Sequence, residues 1–380
     1  VERKLFAHIE DQDQLVPPQP ELCPNCKECQ VCTDPFKARR EQTVINLLDQ
    51  LVTFKEGKHE EGGGYHVKLL FDPELLAKVP EGREAALRRL LATERQLLRP
   101  GMEKARAYFN EKVQKCRDKR YLLPPDQFKD LSHLQKAYQP YSFALKDEEK
   151  LGEGGLSDVP GHKTKARPVV DCSAVALPGG VSVNGAQFKI PDVHTLKISQ
   201  ILLKLRSAKR FCIGDITEYY FRLFCDELTT SLTRVLFRDG GLGSKGPIIE
   251  LVSPVTSMGT KQVSTFSAHV RYRVSLTIMD QDPVAAKQLR DSYCDDILLF
   301  ELFGDCNQHG EHQCGDGEIL ADRAKLVEQA LQRAHLHLGD NWKTDIDQEK
   351  CSESMTGVTR KDKELAIALE SSKQTAALRA

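Results

Sequence analysis

Three aspartates carry the most chemistry in this chain of 380 residues. Asp295 and Asp296 are adjacent, follow Tyr293-Cys294 and precede the apolar run Ile297-Leu298-Leu299-Phe300. Neighbouring residues on a strand point to opposite faces, so two consecutive carboxylates converge on one site only where a tight turn reorients them. An apolar strand, two carboxylates and a preceding aromatic read as a β-hairpin tip aimed at metal. With a third carboxylate the set suits a two-metal phosphoryl-transfer centre. The segment Phe211-Cys212-Ile213-Gly214-Asp215-Ile216 supplies it, reading as a buried strand that ends in an Asp. Burying that Asp is costly unless it meets a cation. Taken singly, each motif has a plainer reading: an acidic surface turn for Tyr-x-Asp-Asp, and the N-cap of the next turn for Asp215.

The elements that must position these residues follow from apolar periodicity. Short apolar runs at Pro168-Val169-Val170, Phe211-Cys212-Ile213, Ile248 to Val252 and Ile297 to Phe300 predict strands. Helical stretches lie between and after them, at Val193 to Ala208, Gln262 to Val274 and Ala321 to Leu338. The alternation lacks the regular rhythm of a parallel sheet, which predicts an α+β fold rather than a doubly wound one. Upstream, Val44, Leu47, Leu48 and Leu51 mark a helix from Glu41 to Val52, and Gly62-Gly63-Gly64 breaks the chain before the strand-like Tyr65 to Leu69. Leu87, Leu90, Leu91, Leu97 and Leu98 mark a helix from Arg83 to Leu98, ended by Pro100-Gly101, and a second helix carries Met102, Ala105, Phe109, Val113 and Cys116. These stripes read as core. Residues 147–165 are Gly-rich and charged, and are expected to be mobile.

A hydrophobic content of 40% and a charged content of 29% describe an ordinary soluble protein, long enough for two or three domains. No apolar run approaches the length of a membrane span, and Val-Glu-Arg-Lys at the start is not the opening of a signal peptide. The chain is expected to be a piece of something longer. Its net charge of −1 conceals a local asymmetry, because residues 83–120 hold 12 Lys or Arg against 5 Asp or Glu. Such a segment is either an electrostatic footprint for phosphates or a solvated helix face.

Of the 12 cysteines, four are bunched at Cys23, Cys26, Cys29 and Cys32, and the spread of the rest argues against a disulfide scaffold. Four thiolates at this spacing suit a tetrahedral zinc site. Iron–sulfur ligation also uses such spacings but needs a remote fourth Cys and usually a following Pro, where Thr33-Asp34-Pro35 stands here. Zinc is therefore preferred, with an unmetallated segment as the alternative. Cys306, His309, His312 and Cys314 form either a second zinc set or an unliganded loop.

The motifs follow a definite order. Arg167-Pro168-Val169-Val170-Asp171 comes first, then Asp215 with Tyr220 five residues on. Met258-Gly259-Thr260-Lys261-Gln262 leads into a helix, Tyr293-Cys294-Asp295-Asp296 follows, and an amphipathic helix is expected to end near Trp342-Lys343. This order resembles the fingers and palm of reverse transcriptases, most closely those of BEL/Pao-class long-terminal-repeat retrotransposons. That class typically shows Lys-x-Arg-Val-Val-x-Asp-x-Ser-Ala, and here stands Lys165-Ala166-Arg167-Pro168-Val169-Val170-Asp171-Cys172-Ser173-Ala174. Val183-Asn184 and Pro191-Asp192 echo two further family motifs, and the upstream helix pair with the Cys-rich start looks like the connector that follows the family's protease. The resemblance covers about residues 20–345 and is strongest from Thr164 to Phe300.

The resemblance implies an α+β right-hand polymerase, with an antiparallel palm sheet packed on helices. Its expected divisions are residues 1–35, a Cys-rich segment with the candidate zinc site; 36–146, a mostly helical connector; 147–345, fingers and palm; and 346–380, the start of a truncated thumb or connection. The implied activity is RNA-directed DNA polymerisation, by nucleotidyl transfer from a deoxynucleoside triphosphate to a primer 3′-hydroxyl. Asp215, Asp295 and Asp296 would hold two Mg²⁺ ions, with the Ile216 carbonyl as a further ligand. Lys165 and Arg167 would clamp the triphosphate. Tyr220 would collide with a ribose 2′-hydroxyl, its plainer reading being a core tyrosine. Gly259 would belong to the nucleotide-binding residues, ahead of the helix that packs under the template and incoming nucleotide, and Lys343 would protonate the leaving pyrophosphate. Implied partners are an RNA or DNA primer–template, deoxynucleotides and other retroelement polyprotein products, without a membrane. The implied location is cytoplasmic, in virus-like particles, or nuclear. The chain departs from the family where Ser-Pro should follow Gly259, and it carries neither a convincing thumb nor an RNase H region. A decayed or domesticated palm acting as a nucleic-acid or protein-binding module is the alternative, against which the three intact aspartates argue. A metal-binding adaptor built on the N-terminal cysteines explains only a small part of the chain.

Overall fold

The computed structural model describes residues 35–128, 131–145, 166–196, 200–201, 203–204, 208–293, 295–302, 318–339, 342–344, 358–361 and 364–367. Internal contacts divide the chain into two units, each drawn from two stretches: Val1–Pro191 with Tyr220–Val263, and Asp192–Tyr219 with Ser264–Ala380. Helices and small sheets are mixed, and the strand pairs are antiparallel except for one short parallel pairing. No helix among the described residues is long and apolar enough to cross a membrane.

In the first unit, helix α1 (Pro35–Leu51) runs straight into β1 (Val52–Lys55), which pairs with β2 (Gly64–Val67). Helices α2 (Arg83–Leu97) and α3 (Glu103–Asp118) follow, joined across Pro100-Gly101. Leu90 and Leu97 are buried as the periodicity predicts, but Leu91 and Leu98 of the expected stripe are exposed. The buried face is rotated toward Glu94, whose carboxylate is held by the Arg238 guanidinium at 2.6 and 2.8 Å and by the Gly243 N–H at 3.0 Å. Those hydrogen bonds, Arg238 first, hold the Glu94 carboxyl below its usual range. Arg238 ends β7 (Arg234–Arg238), which forms a hairpin with β8 (Ile248–Val252). A second hairpin pairs β3 (Tyr141–Leu145) with β4 (Ala166–Val170). Phe109 of α3 ties both hairpins to the helices, its ring 5.8 Å from Tyr141 and 5.9 Å from Phe237. β6 (Phe224–Cys225) lies parallel to β2.

The second unit is built on β5 (Ala208–Asp215), flanked by β9 (Asp296–Leu302) and by the short β10 (Lys343–Thr344). Ile213, Phe211, Leu298 and Phe300 form its apolar cluster with Ile201 and Ala208. Helices α4 (Val263–Leu276), α5 (Pro283–Arg290) and α6 (Glu318–Arg333) complete it. Asp282 caps α5 by accepting the Val284 and Ala285 N–H groups, both at 2.9 Å, with Pro283 set for the first helical turn. The other oxygen of Asp282 takes Arg323 of α6 at 3.1 Å. A backbone hairpin of β11 (Val358–Lys361) and β12 (Glu364–Ile367) lies further on.

Two expected helices are corrected. The stretch from Val193 to Ala208 is not one helix: among the described residues, 193–196 are non-helical, 200, 201, 203 and 204 are helical, and Ala208 already belongs to β5. The last helix stops at Arg333 rather than running to Leu338. His335 takes a left-handed φ of 58°, and Leu338 then bridges to Ile216 as extended chain. Lys343 therefore lies on a strand in register with Ile213, not near a helix end.

One buried pair in this unit gives a pH prediction. His194 Nε2 lies 3.0 Å from His269 Nδ1, and the His194 ring stacks on Tyr272 at 4.3 Å. Burial first, and His269 next, push the His194 pKa from 6.5 down to about 3. Above the ordinary value both folded and unfolded chains carry a neutral ring. Below it the unfolded chain takes up a proton that the folded chain refuses, so His194 makes stability fall as pH drops from 6.5 toward 3. The slope is at most about 1.4 kcal/mol per pH unit. His194→Phe keeps an aromatic ring over Tyr272 and removes this titration. Denaturant midpoints of parent and variant are expected to converge across that range, and parallel curves would refute the assignment.

Candidate functional site

Strand register places two of the three aspartates opposite each other. β5 ends at Asp215, β9 begins at Asp296, and the two residues are direct antiparallel partners, followed inward by Gly214 with Ile297 and Ile213 with Leu298. Directly opposed residues share a face, with Cβ atoms about 5 Å apart. The tight turn that the adjacent aspartates require is present: Tyr293 and Asp296 exchange backbone hydrogen bonds of 3.2 and 2.9 Å. The Asp295 carbonyl at the tip of that turn accepts the Ile216 N–H at 2.8 Å. All three aspartates thus belong to one end of one sheet. Asp215 is exposed, so the burial cost anticipated from its sequence context does not arise.

The surroundings hold this end in place. Gly214 leaves room for Trp342, whose ring would lie 3.0 Å from any added Cβ. The segment returning from α6 closes on the same end. His337 accepts the Thr217 N–H and Gly339 donates to the Asp215 carbonyl, both at 2.8 Å. On the outer side of β9, Gln288 of α5 replaces a neighbouring strand. Its side-chain amide donates to the Phe300 carbonyl at 2.7 Å and accepts the Phe300 N–H at 3.1 Å. Ser292 accepts the Leu298 N–H at 3.0 Å, while Arg271, fully buried, holds the Ser292 carbonyl at 2.6 Å. Neither Gln288 nor Ser292 stands out in the sequence, since a polar residue on a short helix reads as surface.

Other expected site residues lie in the first unit. Arg167 sits in β4 opposite Ala144. Tyr220 is half-buried, and its carbonyl accepts the Thr256 hydroxyl. Tyr219, in the second unit, is the buried tyrosine of the pair, and its hydroxyl donates to the Ser267 carbonyl. Gly259 packs so closely on the Val170 carbonyl that an added Cβ would fall 1.7 Å from that oxygen. Asn184 joins these segments: its amide donates to the Gly259 carbonyl at 2.7 Å and to Ser173 at 2.8 Å, and accepts the Lys261 N–H at 2.9 Å. The Gln262 side chain bonds both backbone groups of Leu70 and the Phe188 carbonyl. The family-like segments around Asp171, Asn184 and Gly259 therefore form one hydrogen-bonded unit.

Lys165, Cys294 and both cysteine sets, at residues 23–32 and 306–314, lie outside the described residues. Among the described residues no three His, Cys, Asp or Glu side chains are gathered as a metal site. What fits a hard cation is the donor set itself, carboxylate oxygens at an exposed strand end. Two like charges placed directly opposite each other repel, a relation that a cation between them would relieve. In comparisons with known proteins, no family model matches the chain and no curated protein matches it significantly.

Proposed function

We propose that the chain is an RNA-directed DNA polymerase of a retroelement, built as the fingers and palm of a right-hand polymerase. The observation that carries this reading is the register of Asp215 with Asp296, with Asp295 in the adjoining tight turn. All three residues fall at one end of one sheet, which is where a divalent cation would need them. Bound Mg²⁺ would supply activation of the primer 3′-hydroxyl and stabilisation of the departing pyrophosphate. Asp215, Asp295 and Asp296 are the residues that would hold it, through oxygen ligands that leave room for waters and triphosphate oxygens. The Gln288 and Ser292 contacts keep β9, and so Asp296, in register with β5. Lys343, placed opposite Ile213 on the far side of β5, is assigned no step.

A second reading is a palm kept only to bind nucleic acid or protein. It is favoured by the replacement of the family's Ser-Pro by Thr260-Lys261-Gln262-Val263 and by the ungathered side chains at the carboxylates. Primer extension on poly(rA)/oligo(dT) with Mg²⁺ separates the two. Magnesium-dependent extension is expected. Retention of primer–template by a folded chain that extends nothing would select the binding module instead.

A further inference from the structure

The first unit holds a second feature that the carboxylate reading does not use. A cleft of about 280 Å³ has the aromatic residues Tyr121, Phe128 and Phe224 and the basic residues Lys119 and Arg120 in its lining. Its walls are anchored. Leu123 exchanges backbone bonds of 3.0 and 2.8 Å with Val252, Tyr121 stacks on Phe221 at 5.1 Å, and Phe224 stacks on His66 at 5.0 Å. Arg120 occupies a conformation that L-residues avoid, with φ of 62° just past the end of α3. The Tyr121 and Leu122 N–H groups both return to the Cys116 carbonyl there, a helix ending that favours glycine. An arginine kept where glycine would be easier is a side chain retained at a conformational cost, and this one lines the aromatic cleft.

We propose that this cleft binds one nucleotide of a single-stranded nucleic acid, its base against the aromatic wall and its phosphate at Lys119 and Arg120. Aromatic side chains beside cations are the combination that takes an unpaired base with its phosphate. Glu60 and Glu61 also line the cleft. They interrupt any continuous phosphate track, which disfavours a duplex, and they offer acceptors to a base amino group. The site stands wholly within the first unit and does not depend on the polymerase reading.

The test is fluorescence anisotropy of a 5′-labelled cytidine 12-mer across a salt series, without Mg²⁺ or deoxynucleotides, so that primer extension has no bearing on the result. Arg120→Gly is expected to bind at least about fivefold more weakly, with the salt slope reduced by about 0.7, the loss of one single-strand phosphate contact. Because glycine suits that backbone, the variant is expected to melt no lower than the parent, which separates binding from folding. Phe128→Leu is expected to weaken binding about fivefold or more with the slope unchanged. Lys245→Ala, which removes one positive charge away from the cleft lining, is the control. The proposal is overturned if the parent binds no 12-mer, if either cleft variant binds as the control does, or if a 12-base-pair RNA duplex competes equally.

Discussion

Asp296→Asn is expected to abolish primer extension, by about a thousandfold or more, while leaving the chain at least as resistant to unfolding as the parent. The two effects have one origin. Asp296 lies directly opposite Asp215 at the end of the β5–β9 pair. Two negative charges in that relation repel by up to about 1 kcal/mol, which offsets what either residue loses when it is neutralised. On the proposed function the same substitution would remove a charged oxygen ligand, and losing about 4 kcal/mol of transition-state stabilisation is a thousandfold in rate. Gain in stability with loss of activity is the signature of a residue kept for function rather than folding. A second readout is independent of turnover: Mg²⁺ should raise the thermal midpoint of the parent by mass action and that of Asp296→Asn much less. A variant that extends primers like the parent, or a parent whose midpoint ignores Mg²⁺, would remove the carboxylates from the mechanism.

Gly259→Ala is expected to be the most damaging single-methyl change in the first unit. A Cβ there would sit 1.7 Å from the Val170 carbonyl oxygen, 2.9 Å from its carbon and 3.6 Å from the Cys172 nitrogen. These are backbone atoms, so no side chain can swing aside, and the 258–261 segment or β4 must move. Either movement strains the Asn184 bonds to Gly259 and Lys261. Overpacking costs about 1–3 kcal/mol, and a weakened part-buried hydrogen bond adds up to about 1 kcal/mol. A loss of about 2–4 kcal/mol in urea denaturation is expected. Gly101→Ala is the useful contrast: no atom lies within 4 Å of its would-be Cβ, so only the strain of its φ of 83° is felt. A Gly259→Ala chain within about 0.5 kcal/mol of the parent would mean that the two segments do not approach as described.

Much of the candidate site could be read before the fold was known. β5 and β9 are short runs of Phe, Ile and Leu between turn signals, and the turn at Tyr293 to Asp296 is the one that two adjacent aspartates need if they are to serve one site. The parts that escaped were those decided at long range. Arg234 and Arg238 bracket β7 and make it look like surface. Yet Arg234 is buried, ion-paired with Glu250, and Tyr138 donates to the same carboxylate. The leucine periodicity of α2 includes Leu91 and Leu98, but the buried face turns toward Glu94, because Arg238, distant in sequence, pairs with its carboxylate. The end of α6 was missed for a local reason. Past Ala334 the apolar residues Leu336 and Leu338 keep a spacing of two, which belongs to extended chain, but a helical window absorbed them.

The side-chain pairing of Gln288 with Phe300 has a consequence for how the protein behaves among other chains. β9 is the outer member of a three-stranded sheet, and such a strand ordinarily offers its backbone as a template to any passing extended segment. Gln288 and Ser292 fill those backbone positions from within. They do so with side chains, which cannot propagate a ladder as a further strand would. At Leu298 and Phe300 that edge is thereby occupied, and strand exchange or edge-to-edge aggregation there is opposed by two side chains.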